Sequence, residues 1–186
     1  MLTEIISKRR SVFPSQYTVG EIPRADLEQI LDSAKWAPTH KKTQPWRFKV
    51  LQGEVLDQLG HYLASSYENT EGFKNFKLNK LRENPSKAAA IVLIFMHRCD
   101  KESVPEWEEI AATAMAVQNM WLTSHDLGYG AYWSSPKSFA PMDEWDAIEV
   151  GEREQFLGFF YIGNYNKEDV VVVERKGVEE YTQFYP

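Results

Sequence analysis

The stretch AAAIVLIFM, residues 88–96, decides the fold. It carries no polar side chain, and it is flanked by the polar segments ENPSK and HRCDKE. A run this short cannot cross a bilayer, which takes about 20 residues. Its β-branched content and abrupt polar borders read as a central strand buried on both faces. A strand of that kind needs helices above and below it. VPEWEEIAATAMAVQNMWLTSHDLG, residues 104–128, is the longest of them, with Pro105 near its start and Gly128 at its end. Its middle, IAATAMAVQNMWL, is apolar nearly all round, so the sequence predicts burial on several sides. Its alanines permit another helix to approach closely, including one from a second subunit.

The remaining elements follow from the same two periodicities. Leu2, Ile5 and Ile6 give a short helix face that stops around Lys8-Arg9-Arg10-Ser11. In PRADLEQILDSAKWAP, Pro23 suits a first helical position, and Leu27, Ile30, Leu31 and Ala34 recur at helical spacing until Pro38. WRFKVLQG (46–53) alternates as a strand, and two polar-sided helices are predicted over 54–66 and 71–82. YGAYWSSP (129–136) reads as a short strand entering a loop, and FLGFFYIGNY (156–165) as a core strand. EDVVVVERKGVEEYTQFYP begins β-like. Its aromatic end (Tyr181, Phe184, Tyr185) calls for a surface to dock on, from its own domain or a partner. No repeat or linker interrupts residues 1–186, which predicts one α+β domain built on a mostly antiparallel sheet flanked by helices.

Composition narrows the function. The 186 residues carry a net charge of −6, which argues against a nucleic-acid partner. The single cysteine, Cys99, excludes an internal disulfide framework and fits a reducing compartment. MLTEIISKRRS lacks the apolar core of a signal peptide, so the expected location is the cytoplasm, with no membrane partner. No phosphate loop, HExxH or serine elbow occurs, and Gly128-Tyr-Gly130 follows a helix where a dinucleotide fingerprint would follow a strand. His61, His97 and His125 lack metal-ligand spacing, and no metal site is expected.

Two basic clusters remain. Arg9-Arg10-Ser11 brings two guanidinium forks and a hydroxyl, a set that holds a phosphate; it also suits the carbonyl end of a helix. APTHKKTQPWRF (37–48) is a basic, aromatic turn where a few polar residues would suffice. His40 there suits stacking on a ring or donation to a carbonyl edge, and the alternative is a solvated loop anchored by Trp46.

RRS (9–11), APTHKKTQPWRF (37–48), and GYGAYWSSP with GFFYIGNY (128–136 and 158–165) together resemble the nitroreductase family, the FMN-dependent NAD(P)H oxidoreductases. Order and spacing agree from end to end, and the histidine two places after Pro38 resembles a compact branch of that family. Lys42 stands where many members have asparagine. The resemblance implies a homodimer packed through the long helix, with two FMN sites built from both chains. It implies phosphate and ribityl contacts at Arg9, Arg10 and Ser11, and flavin contacts at Trp36 and His40, the latter from the partner subunit. It further implies ring contacts at Trp133, Ser134 and Ser135, and a phosphate contact at Arg175. No protein nucleophile is then needed. FMN carries electrons from NAD(P)H to a small acceptor such as a nitroaromatic or quinone, in ping-pong fashion. The rivals are a flavin-consuming or dehalogenating enzyme with a lid drawn from residues 66–86, a non-catalytic flavin carrier, and a plain interaction domain.

Overall fold

The computed structural model describes residues 1–135, 141–171 and 173–186. AAAIVLIFM is indeed the centre of the molecule. It forms most of β3 (Ala90–His97), whose first seven residues are all buried. β2 (Trp46–Leu51) pairs with one edge of β3 and β5 (Glu154–Tyr165) with the other, both antiparallel. The far edge of β5 is shared by β4 (Gly130–Ser134) and the two-residue β1 (Tyr17–Thr18), again antiparallel. The sheet is therefore antiparallel throughout its ladders, with one parallel bridge, Ser11 to Ala131.

Alternation along β3 divides the core in two. Ala90, Val92 and Ile94 face Ala116, Val117 and Met120 of α5 (Glu106–Asp126), together with Leu27 and Ile30 of α2 (Arg24–Ser33). Ile91, Leu93 and Phe95 face Leu56, Leu59 and Leu63 of α3 (Val55–Glu68), together with Met142 and Trp145. α1 (Leu2–Lys8) touches α5, and α4 (Asn75–Glu83) packs on α3. That last contact is very close: a Cβ at Gly60 would lie 2.2 Å from the Arg82 carbonyl oxygen. Residues 66–86, considered above as a lid, are thus for the most part helical and held against α3.

Other expectations need adjustment. Pro23 and Pro105 precede the first helical turn as extended N-caps, where their fixed φ still suits the entry. Val170, Val171 and Val173 form no strand. Val171 and Val173 are 77% and 60% exposed, so their β propensity finds no pleated surface to pack on; Val172 and Pro136 lie outside the described residues. α5 is buried on one side only. Trp107 is 67% and Met115 39% exposed, and with Ala111 they form an outward stripe at helical spacing.

β5 carries a register shift opposite Ile94 and Phe95, leaving Leu157 unpaired. Beside it Gly158 has φ +138°, and a Cβ there would lie 2.5 Å from the Ser134 carbonyl oxygen and 2.6 Å from Trp133 Nε1. Gly158→Ala is therefore expected to lower stability by about 2–3 kcal/mol, from backbone strain and displacement of β4 together. The midpoint of denaturant unfolding measures it; an unchanged midpoint would show that β4 can move aside without cost.

Candidate functional site

The chain leaves α1 at Arg9, whose ψ of 131° turns it away from the helix and towards the sheet. Two residues later Ser11 bridges Ala131, and the Val12 N–H donates to the Ala131 carbonyl at 3.0 Å. This lays Arg9-Arg10-Ser11 beside the start of β4. Gly130 permits the approach, since a Cβ there would meet the Val12 side chain at 2.8 Å.

The two arginines are held differently. Arg9 stacks on the indole of Trp121, with its guanidinium carbon 4.4 Å from the ring centroid. Arg10 Nη1 donates to the Ser7 carbonyl at 2.5 Å and to the Arg9 carbonyl at 2.9 Å. Arg10 thus does serve the end of a helix, the alternative that its position allowed. That role leaves Arg10 Nε idle. Among the described residues three buried side-chain donors lack any partner: Arg9 Nη1, Arg10 Nε and Trp121 Nε1. An idle buried donor costs about 1–3 kcal/mol, so three from neighbouring side chains mark a place built for an acceptor.

Electrostatics point to the same acceptor. Burial, then the nearby charges of Arg175 and Arg10, push the Arg9 guanidinium below its usual range. Burial likewise lowers His125, with Lys167, Arg9 and Arg10 adding to the effect. Arg9, Arg10 and Arg175 crowd together here, while His125 has the acid Asp126 as well as Lys167 beside it. Beside them runs a groove of about 420 Å³ lined by Arg10, Ser11, Phe13, Gln16, Val170 and Arg175, among others. A phosphate monoester fits this donor set: it is dianionic, and its oxygens accept from forked guanidinium groups.

β4 brings the next group. The Trp133 Nε1–H donates to the Leu157 carbonyl at 3.2 Å, so the register shift in β5 is what fixes the indole. Trp133 and Ser134 are half-buried, Ser135 is exposed, and Tyr132 packs on Phe13 with ring centroids 4.6 Å apart. The structure therefore brings Arg9, Arg10, Ser11 and Arg175 together beside the strand that carries Trp133 and Ser134.

His40 and Trp36 lie apart from that group. His40 Nδ1 is 2.5 Å from Glu108 Oε2 on the first turn of α5, whereas Arg9 sits on Trp121 near its end. Thirteen residues separate Glu108 from Trp121, a rise of about 20 Å. Trp36 is 75% exposed, with Lys35 Nζ 5.2 Å from its ring centroid. Within one chain His40 does not share a site with the arginines. His40 instead borders an apolar hollow of about 370 Å³ with Pro38, Trp107, Ala111 and Met115.

Two contributors escaped the sequence reading. Trp121 counted there only as part of an apolar helix, and Glu108 was not singled out at all. Their partners are remote in the chain, so no local pattern marks them. Cys99 has its thiol 3.8 Å from the Ser103 hydroxyl and its N–H bonded to Glu109.

A family model described as "Nitroreductase family" matches residues 6–164. The chain belongs to the nitroreductase family. Escherichia coli "Putative NAD(P)H nitroreductase YdjA" is 28% identical over 160 residues, covering 86% of each chain. Bacillus subtilis "Putative NAD(P)H nitroreductase YfhC" is 25% identical over 165 residues, covering 88% of this chain and 84% of its own. A nitroreductase-like family protein of Bacillus cereus superposes with a TM-score of 0.84 at 24% identity, covering 100% of this chain and 96% of the other. The last likeness concerns the fold, and it extends to the mostly antiparallel sheet and its flanking helices.

Arg9 offers a direct test of the anion cradle. In the ligand-free protein Arg9→Met removes an idle buried donor and a crowded charge, while the thioether keeps a contact with Trp121. Its ligand-free stability is expected to rise by about 1 kcal/mol, as when a strained functional site is relieved. Stabilisation by added inorganic phosphate should be weaker than in the wild type. Thermal melts with and without phosphate measure both; a fall in ligand-free stability would make Arg9 a structural residue.

Proposed function

We propose that this protein is an FMN-dependent NAD(P)H oxidoreductase acting on small organic acceptors such as nitroaromatics or quinones. The observation that carries the reading is the set of idle buried donors on Arg9, Arg10 and Trp121, next to crowded cations, in a chain of the nitroreductase family. FMN, when bound, supplies the hydride chemistry that no side chain here provides. Arg9, Arg10 and Ser11 hold its phosphate and ribityl chain, with Arg175 closing from the C-terminal segment. Trp133, Ser134 and Ser135 lie against the ring system. Trp36 and His40 complete the site from a second subunit. The shared face then admits NAD(P)H and acceptor in turn, which gives ping-pong kinetics. Residues 1–186 act as one FMN-binding domain, and the single cysteine supports a cytoplasmic setting.

The second subunit follows from two features. The arginine cluster and His40 lie at opposite ends of α5, and the stripe Trp107, Ala111 and Met115 leaves one side of that helix open. A symmetric partner with an antiparallel α5 buries the stripe and sets each His40 beside the other chain's arginines. Exposed Tyr181, Phe184 and Tyr185 need cover as well, and a second copy supplies it. Solved relatives bear on the cofactor: a nitroreductase from Desulfovibrio desulfuricans is described in complex with FMN, and NfnB from Mycobacterium smegmatis as FMN-dependent and in complex with NADPH.

The purified protein is expected to be yellow and to bleach anaerobically with NADH or NADPH. Colour should return when an acceptor is added, with FMN recovered intact. Failure to bleach leaves a flavin carrier, loss of FMN during turnover a flavin-consuming enzyme, and a colourless protein that ignores added FMN a plain interaction domain. Arg10→Ala should stay folded and lose about 2–5 kcal/mol of FMN binding, the cost of leaving a desolvated charge unpaired. Unchanged affinity in that variant removes Arg10 from the site.

A charge at Met115 tests the composite site. Met115→Glu is expected to give monomers in sedimentation and to release flavin in parallel. A monomer that keeps its colour would place the whole site in one chain.

A further inference from the structure

Four non-glycine residues among those described have positive φ: Lys41 (51°), Lys42 (56°), Gln44 (44°) and Glu102 (45°). Three fall in the turn around His40, and the fourth lies in the loop leading to α5. Left-handed backbone is strained for a non-glycine residue, so it persists only where its surroundings over-determine it. Here they do. The Thr39 hydroxyl accepts the Gln44 N–H at 3.1 Å and lies 3.1 Å from the Thr43 hydroxyl. Lys41 Nζ donates to the Ser103 carbonyl at 2.7 Å, joining the two strained loops. The remaining tie is the 2.5 Å pair of His40 Nδ1 with Glu108 Oε2.

That pair is asymmetric in a way that suggests use. The Glu108 side chain is 24% exposed, whereas that of His40 is 55% exposed and its Nε2 has no partner among the described residues. Glu106, Glu108 and Glu109 all lie in the first turn of α5, where acids complement the helix dipole. Their duties differ. Glu109 is buried, pairing with Arg98 and accepting the Cys99 N–H at 3.1 Å. Glu108 alone takes His40. A carboxylate at Nδ1 requires a proton there, so the neutral ring must carry Nδ1–H and leave Nε2 bare. Holding the turn could be left to Thr39 and Lys41; choosing the ring nitrogen could not.

We propose that Glu108 is a positioning residue for ligand binding. It fixes His40 as the Nδ1–H tautomer and so makes Nε2 the atom offered to a ligand. The ligand class is a planar heterocycle whose edge presents an N–H to bare Nε2, an imide-like edge. Identifying that heterocycle as FMN rests on the functional reading above; the tautomer does not.

The test has two arms, so the two ideas fail separately. Nitrogen-15 NMR of the flavin-free protein at about pH 8.5, where an unperturbed imidazole is neutral, reads the His40 tautomer directly. Wild type should show protonated Nδ1 and bare Nε2. Glu108→Ala should move towards the Nε2–H form that free imidazole favours, and Glu108→Gln should restore Nδ1–H, because its amide oxygen still accepts. FMN titration forms the second arm: affinity should fall by up to about tenfold in Glu108→Ala, the scale of one neutral hydrogen bond, and recover in Glu108→Gln. Nε2–H in the wild type, one tautomer shared by all three proteins, or no recovery with glutamine overturns the role of Glu108. A wild type with the expected tautomer that ignores FMN overturns the functional reading and leaves the pair standing.

Discussion

Burial of β3 on both faces is the constraint from which the rest follows. A strand with no polar side chain until His97 cannot lie at a surface, so each face must carry its own layer. Ala90, Val92 and Ile94 claim one side of α5, and Ile91, Leu93 and Phe95 claim α3. α5 has only one side to give. Ala116, Val117 and Met120 are spent on the sheet, which turns Trp107, Ala111 and Met115 outward. The open side of α5 is thus a direct result of how the central strand is covered. The arginine cluster depends on the same placement, because Arg9 rests on Trp121 of that helix.

The parts legible in sequence were those that local periodicity controls. AAAIVLIFM, the α5 segment and FLGFFYIGNY declared themselves because side-chain spacing and burial agree there. The valines after Asp169 misled for the converse reason: β-branching records a fit to a pleated surface, and none is offered to Val171 or Val173. The two-residue β1 carries too little pattern to read. At the candidate site, Arg9, Arg10 and His40 were visible as unusual basic residues, with Ser11 as the hydroxyl beside the arginines, but Trp121 and Glu108 were not. Each is ordinary within α5, and its significance comes from a residue far away along the chain. Sequence exposes a cluster of like charges more readily than the single group that orients one of them.

The protein sets a local charge against its global one. Its net charge is −6, yet Arg10 and the exposed Arg175 lie close to Arg9, whose guanidinium charge burial already disfavours. At physiological salt the screening length is about 8 Å, so the acidic surface elsewhere relieves little of this. Idle donors and crowded cations weigh against the empty protein. An anionic ligand held as proposed would offset that cost and so couple folding to ligand retention at this end of the molecule.

The length of α5 between its two attachments is a further constraint on this chain. Glu108 and Trp121 are joined by continuous helix, so their relative orientation is a matter of phase as well as distance. Adding or deleting one residue between them rotates one end against the other by about 100° and shifts it by about 1.5 Å. His40 would then lose step with the arginines, and the outward stripe would wind into the core. The helix acts as a ruler with angular markings, and indels within it are forbidden in a way that substitutions along its outer side are not.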